Sequence, residues 1–394
     1  MFLALCAGMA VVGLTILTPA VPQVRDELNI SSTAVQQLLT VYMVALAAGQ
    51  LIFGPVSDRY GRRPVLLAGV MLFLFSSVLA IFFVRADILI MLRAVQGLGA
   101  AACTAMSRAM VNDLYERDEA ARQLSTIAIV LAIAPALSLI FGGVLAEAAG
   151  WKGSMVFLAV AGSVVMAFSI RYAIETLANP LQTLDISRLG RTYSKVLSRW
   201  LFLCWTLASG LQVGIFFSLN GFLAYQYQNH GYSLTEFGIW FALTPISYIV
   251  GNSCNKIWFV QRGIARAAMI GCGLSVIAML ALLITQLAGF THALSLALPC
   301  MLFGFSNGIV IANTTAGAID ASGGHIGTAT GIVGAWQMAA GGIAGIIIIA
   351  FGGSEHFAVA GTAVVLMAIL SFTAMVVVYF HESRGDIRDA VKNT

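Results

Sequence analysis

The stretch Ser57-Asp58-Arg59-Tyr60-Gly61-Arg62-Arg63-Pro64, SDRYGRRP, decides how the rest of the chain is read. It holds four charges and two helix breakers in eight residues. LAAGQLIFGPV precedes it and VLLAGVMLFLF follows it, and both are almost wholly apolar. A helix of about 20 apolar residues crosses roughly 30 Å of hydrocarbon, so the pattern reads as two membrane spans joined by a tight charged turn.

The same pattern extends along the whole chain. Of its 394 residues 59% are hydrophobic and only 10% charged, and mean hydropathy is +0.91. A soluble domain carries roughly 25% charged residues. The apolar runs do not alternate in polarity, which sets aside a barrel of strands. Spans are predicted near 3–21, 35–56, 65–84, 88–112, 124–146, 154–174, 200–223, 234–254, 267–287, 293–314, 326–350 and 357–380. The opening run MFLALCAGMAVVGLTILTPAV lacks a basic leader and is longer than the apolar part of a signal peptide, so it is read as the first span. The six cysteines stand singly in apolar runs, with no spacing for a metal or a disulfide framework.

Basic residues fix the expected orientation. One side receives Arg59, Arg62, Arg63, Arg117, Arg122, Arg171, Arg188, Arg191, Lys195, Arg199, Lys256, Arg262, Arg266, Arg384, Arg388 and Lys392. The other keeps Arg25, Arg85 and Lys152. The positive-inside rule then puts both termini in the cytoplasm, and the net charge of +4 needs no nucleic-acid partner.

Three echoes recur half a chain apart. The turn at Gly61 is matched by VQRGIARAAMIG, RAVQGLGAA by GFSNGIVIA, and PALSLIFGG by GAWQMAAGG. Internal repeats of this kind are common in transporters. The expected fold is therefore all-α and integral to the membrane, with twelve transmembrane helices in two pseudo-repeated six-helix bundles. The first bundle is placed at 1–174 and the second at 200–380, with a cytoplasmic central loop at 175–199 and a cytoplasmic tail at 381–394.

GPVSDRYGRRP resembles the signature loop between helices two and three of the major facilitator superfamily. RAVQGLGAA resembles that superfamily's fourth-helix motif, and APALSLIFGG its fifth-helix antiporter motif, in part. PAVPQV, FGIWFALTPISYIVGN and GTATGIVGAWQ are similar to the drug-exporting Bcr/CflA branch, so the likeness runs from about Thr18 to Gln337. It implies a secondary transporter in the bacterial inner membrane. It also implies that Asp58, Gly61 and Arg62 latch the two halves on the cytoplasmic face. Asp113 is placed to join them, while Arg59 and Arg63 read as positive-inside anchors. In physical terms Gly61 permits the reversal and Pro64 starts a helix where its missing N–H costs little. Asp58 can accept from a helix N-terminus and pair with Arg62 or Arg63.

Ionisable residues at membrane depth are functional candidates. Arg93 lies in the fourth span with Gln96 on the same face. The resemblance gives this arginine a place in or beside the cavity and a part in coupling. Otherwise it ties down backbone carbonyls of a broken helix or snorkels outward. Pro135, Gly142 and Gly143 read as a bend followed by a close-packing surface. Candidates for the substrate cavity are Tyr42, Gln50, Phe216, Asn220, Tyr248, Asn313, Trp336 and Gln337, as polar or aromatic residues in apolar spans.

One departure from the branch matters. An acid usually precedes its Pro-Ala-x-Pro motif, and Thr15 stands there instead. Without a deep carboxylate the usual proton carrier is missing, and an unpaired Arg93 favours an anionic or zwitterionic substrate. Export of one negative charge across an inside-negative membrane gains about 2.3 kcal/mol per 100 mV. Two readings follow: an exporter of small amphipathic drugs or metabolites, and a carrier of organic anions such as carboxylates or siderophores. No acid, base and nucleophile group together, so no enzyme is expected, and no cofactor or metal. A receptor would need extramembrane domains that this chain does not show. The expected partners are a small-molecule substrate, membrane lipid and, as a candidate coupling ion, protons; the chain is expected to act as a monomer.

Overall fold

The computed structural model describes residues 1–177, 186–353 and 355–392. The central loop and the tail expected from the sequence therefore lie partly outside the described residues. So do the side chains of Arg117, Arg188, Arg384, Arg388 and Lys392, which entered the charge count.

Among the described residues every regular element is helical, and twelve helices are long and apolar enough to span a membrane. They run Phe2–Leu28, Ser32–Tyr60, Arg62–Phe82, Ala86–Leu114, Arg122–Ala149, Trp151–Tyr172, Trp200–Asn229, Leu234–Arg262, Ile264–Leu287, Ala293–Ala321, Ile326–Ala350 and Phe357–Ser383, and are numbered spans 1 to 12. Several extend beyond their apolar runs, because a helix continues into water where its hydropathy signal has ended. Span 12 belongs to a helix that runs on to Lys392, through most of the expected tail. A further helix, Ile186–Leu197, precedes span 7.

Span 1 is not one continuous α-helix. Its first part, Phe2–Thr15, gives way to a tight turn at Thr18–Ala20 and resumes as Val21–Leu28. Pro19 and Pro22 each fall in the first positions of a new element, where a missing N–H costs little. The carbonyls ending the first part need donors from elsewhere.

Spans 1 to 6 pack among themselves, as do spans 7 to 12, and the halves meet along spans 2 and 11 and along spans 5 and 8. The turns at Gly61 and Gly263 share one backbone conformation, with φ of 95° and 92°. Each half also buries a polar network in its interior. In the first, Gln96 Nε2 donates to Ser77 Oγ at 2.6 Å. In the second, Ser275 Oγ donates to Gln212 Oε1 at 3.0 Å and Gln212 Nε2 donates to Ser371 Oγ at 3.1 Å.

Candidate functional site: a cavity between the two bundles

A cavity of about 360 Å³ lies between the halves at mid-depth. The first half contributes Val11, Ala128, Leu131, Ala132 and Pro135. The second contributes Phe216, Phe217, Thr244, Pro245, Tyr248, Asn252, Asn307 and Gln337 among others. None of the lining side chains is charged. Pro135 and Pro245 sit inside spans 5 and 8, so the carbonyls four residues before them, at Leu131 and Phe241, have no in-helix donor. Thr244 Oγ1 and Asn307 Oδ1 find no hydrogen-bond partner among the described residues. Gln337 Nε2 donates to Ser209 Oγ at 2.6 Å.

One end of the interface is closed. Leu234 presents its carbonyl to Gly143 and Leu139 presents its own to Gly238, each nearer than a Cβ would allow. Glu147 at the end of span 5 accepts from the Thr235 backbone N–H at 2.9 Å and from the Thr235 hydroxyl at 2.7 Å. A carboxylate from one half thus caps the first turn of a helix in the other, where the helix dipole favours negative charge. The Arg25 guanidinium lies 5.2 Å from the Tyr225 ring centroid, again across the halves. Thr40 Oγ1 donates to the Gly342 carbonyl at 3.0 Å.

The other end, which carries Arg62, parts. Contact between spans 2 and 11 reaches Gln50 against Gly334 and Leu51 against Gly331. Beyond it a Cβ on Gly54 or on Gly327 would meet open space. The cavity thus belongs to a state sealed at the Glu147 end and open toward the Arg62 end.

The charged turn forms a compact cluster inside the first half. Arg62 Nη1 donates to Asp58 Oδ1 at 2.6 Å and Nε donates to Asp113 Oδ2 at 3.0 Å, joining spans 2, 3 and 4. Asp58 pairs with Arg62 and not with Arg63, and it caps no helix. That role belongs to Glu175, at the start of the central loop. Its carboxylate accepts from the backbone N–H of Arg62 at 2.9 Å and of Arg63 at 3.2 Å. Thr176 Oγ1 donates to Asp113 Oδ2 at 2.9 Å. Partial burial pushes the Glu175 pKa up, but the N–H groups of Leu177, Arg62, Arg63 and Thr176 outweigh it and hold the carboxyl below its ordinary value.

Arg93 is buried among spans 1, 2 and 4, outside the cavity lining. Nη1 donates to the Gly13 carbonyl at 2.8 Å and to Gln96 Oε1, and Nε donates to the Leu38 carbonyl at 3.1 Å. Its guanidinium lies 4.3 Å from the Tyr42 ring centroid. Gly13 belongs to the last turn before the break in span 1, so Arg93 supplies a donor that the break requires. Thr15 turns away from it: the Thr15 hydroxyl meets the Ser138 hydroxyl of span 5 and donates to the Val11 carbonyl at 2.9 Å.

Of the cavity candidates, Phe216, Tyr248 and Gln337 line the cavity. Tyr42 is buried in the first half, where its hydroxyl donates to the Ala10 carbonyl at 2.9 Å. Asn220 is buried and donates to the Phe216 carbonyl at 2.7 Å. Asn313 donates to Asn255 Oδ1 at 2.8 Å, where span 8 loosens into a π-turn. Trp336 packs over Gly210, and Gln50 lies in the contact with span 11. Gly142 packs on the Ile16 carbonyl at the break in span 1. The lining residues Thr244, Asn252 and Asn307 escaped the sequence reading. The motif FGIWFALTPISYIVGN contains two of them, and its mid-helix proline was the signal available.

A broken first span, two bundles and a cavity at their interface describe a membrane transporter that works between two bundles. The sequence profile of the Major Facilitator Superfamily matches residues 3–345, and the chain belongs to that superfamily. It is similar to the chloramphenicol resistance protein of Pseudomonas aeruginosa, 29% identical over 326 residues that cover 82% of this chain and 77% of that one. It is also similar to multidrug resistance protein D of Escherichia coli (strain K12), 27% identical over 351 residues, 86% and 84% of the two chains. Among solved structures, the fold matches a bacterial homolog of the human lysosomal transporter Spinster, inward-facing and unoccupied, with a TM-score of 0.73, 14% identity and coverage of 98% and 97%. The human organic anion transporter MFSD10 (TETRAN) matches with a TM-score of 0.71, 17% identity and coverage of 95% and 98%. At such identities the likeness is one of fold.

Proposed function

We propose that the protein is a Bcr/CflA-type exporter in the bacterial inner membrane that moves small, neutral amphipathic molecules by alternating access. The uncharged, mostly apolar cavity between the halves carries this reading. Pockets for drug-like ligands combine apolar walls with a few placed polar groups, and the similar proteins named for chloramphenicol and multidrug resistance agree with such a substrate. The positive-inside bias makes the Arg62 end cytoplasmic, so the cavity would load from the cytoplasm. Asp58, Gly61, Arg62 and Asp113 are then the cytoplasmic gate, engaging the second half only when that end closes.

The organic-anion reading rested on Arg93 facing the substrate. Arg93 is instead committed to carbonyls of spans 1 and 2, and no cation lines the cavity. Purified protein in proteoliposomes, offered neutral, cationic and anionic compounds under imposed pH and voltage gradients, tests the proposal. Transport of neutral amphipaths is the expected result. Voltage-driven transport of anions alone would restore the organic-anion reading.

A further inference from the structure

The two walls of the cavity differ in kind. Every lining side chain from the first half is apolar: Val11, Ala128, Leu131, Ala132 and Pro135. The polar side chains all come from the second half, and two of them stand out. Thr244 is 1% exposed and its Oγ1 has no partner; Asn307 is 7% exposed and its Oδ1 has none. An unpaired buried polar atom costs about 1–3 kcal/mol, so each group gains from a partner arriving with a ligand.

Resting on the export reading above, we infer that Thr244 and Asn307 form a polar subsite for one end of the substrate, with the apolar body against spans 1 and 5. The substrate head carries a neutral hydrogen-bond donor, a hydroxyl or an amide N–H. Thr244 Oγ1 and Asn307 Oδ1 accept from it, with Tyr248 and Asn252 on the same wall. A charged head does not fit. An ammonium would lie in a low-dielectric site without a carboxylate, and a carboxylate would lie there without a cation. Recognition therefore sits in the second half, while the first half supplies a featureless apolar face.

The test pairs compounds with and without the donor. Wild-type protein in proteoliposomes is offered neutral amphipaths in matched pairs, an aryl-alkyl alcohol and its methyl ether, so that the hydroxyl is the sole hydrogen-bond donor in the one and absent from the other. The donor-bearing member of each pair should be transported with about tenfold higher kcat/KM. In Thr244→Val and Asn307→Leu that preference should shrink toward equality, whereas Thr244→Ser should retain it. Equal handling of the paired compounds by wild-type protein overturns the subsite, and needs no variant to fold. Preference unchanged in folded Thr244→Val and Asn307→Leu also overturns it. Either result leaves the export reading standing. Failure of wild-type protein to move any neutral amphipath removes both.

Discussion

Glu175 caps the start of span 3 from 113 residues away, its two carboxylate oxygens taking the backbone N–H groups of Arg62 and Arg63. Three residues past the end of span 6, it thereby fastens the beginning of the inter-bundle segment to the charged turn. Thr176 adds a bond to Asp113, so the segment and the Asp58–Arg62–Asp113 cluster form one unit.

Because its folded-state pKa is depressed, Glu175 adds stability that is fully present above the ordinary carboxyl value of 4.5 and is lost as pH falls through the lower folded value. Glu175→Gln should therefore cost about 1 kcal/mol at pH 7, the scale of a carboxylate at a helix N-terminus. The difference from wild type should close as pH falls below 4.5. Thermal unfolding of both proteins in detergent across this range reads the effect.

The cluster depends on the forked guanidinium. Arg62 reaches Asp58 through Nη1 and Asp113 through Nε, which a lysine ammonium cannot do with the same geometry. Arg62→Lys and Asp58→Asn should insert and fold yet transport at least tenfold more slowly. Wild-type rates in correctly inserted protein would count against a gating role.

Arg93 is expected to be a structural cation. Arg93→Gln removes donors from the Gly13 and Leu38 carbonyls, and hydrogen bonds to a charged group are worth about 1.5–3 kcal/mol each. The variant should lose several degrees of thermal stability without changing the relative transport of neutral and anionic compounds. A shift in charge preference at unaltered stability would return Arg93 to substrate recognition. Thr15→Asp should destabilise as well, because the new carboxylate would face Ser138 instead of Arg93.

At the sealed end, Gly143→Ala sets a methyl against the Leu234 carbonyl, and Glu147→Gln weakens the cap on Thr235. Alanine by itself favours a helix over glycine by about 1 kcal/mol, so any loss from Gly143→Ala comes from the collision. Both changes should raise the rate at which a cysteine introduced by Gln36→Cys, at a buried position packed against Gly221 and Gly345 of the second half, reacts with a membrane-impermeant maleimide from the outside. Unchanged labelling would show that closure there does not depend on these contacts.

The span count and the pairing of the halves were legible because hydropathy and the turn at Gly61 are local signals. Phe216, Tyr248 and Gln337 were found as polar or aromatic residues in apolar helices. The same rule also selected Tyr42, Asn220 and Asn313, which satisfy partners inside their own half. Sequence gives polarity but not helix rotation, so it cannot separate an inward face from a cavity face. Glu147 and Glu175 were missed for a different reason. Each acts on a helix start distant in sequence, and no periodicity records that distance.

Spans 5 and 8 carry their two jobs on different turns. Gly143 and Gly238 bring backbone against backbone at the sealed end, whereas Pro135, Thr244 and Pro245 face the cavity nearer the middle. A side chain on the wall can therefore be exchanged without disturbing the backbone packing at the sealed end. On the export reading proposed above, selection then has room to retune what is carried, one residue at a time, without first rebuilding the contact that holds the halves together.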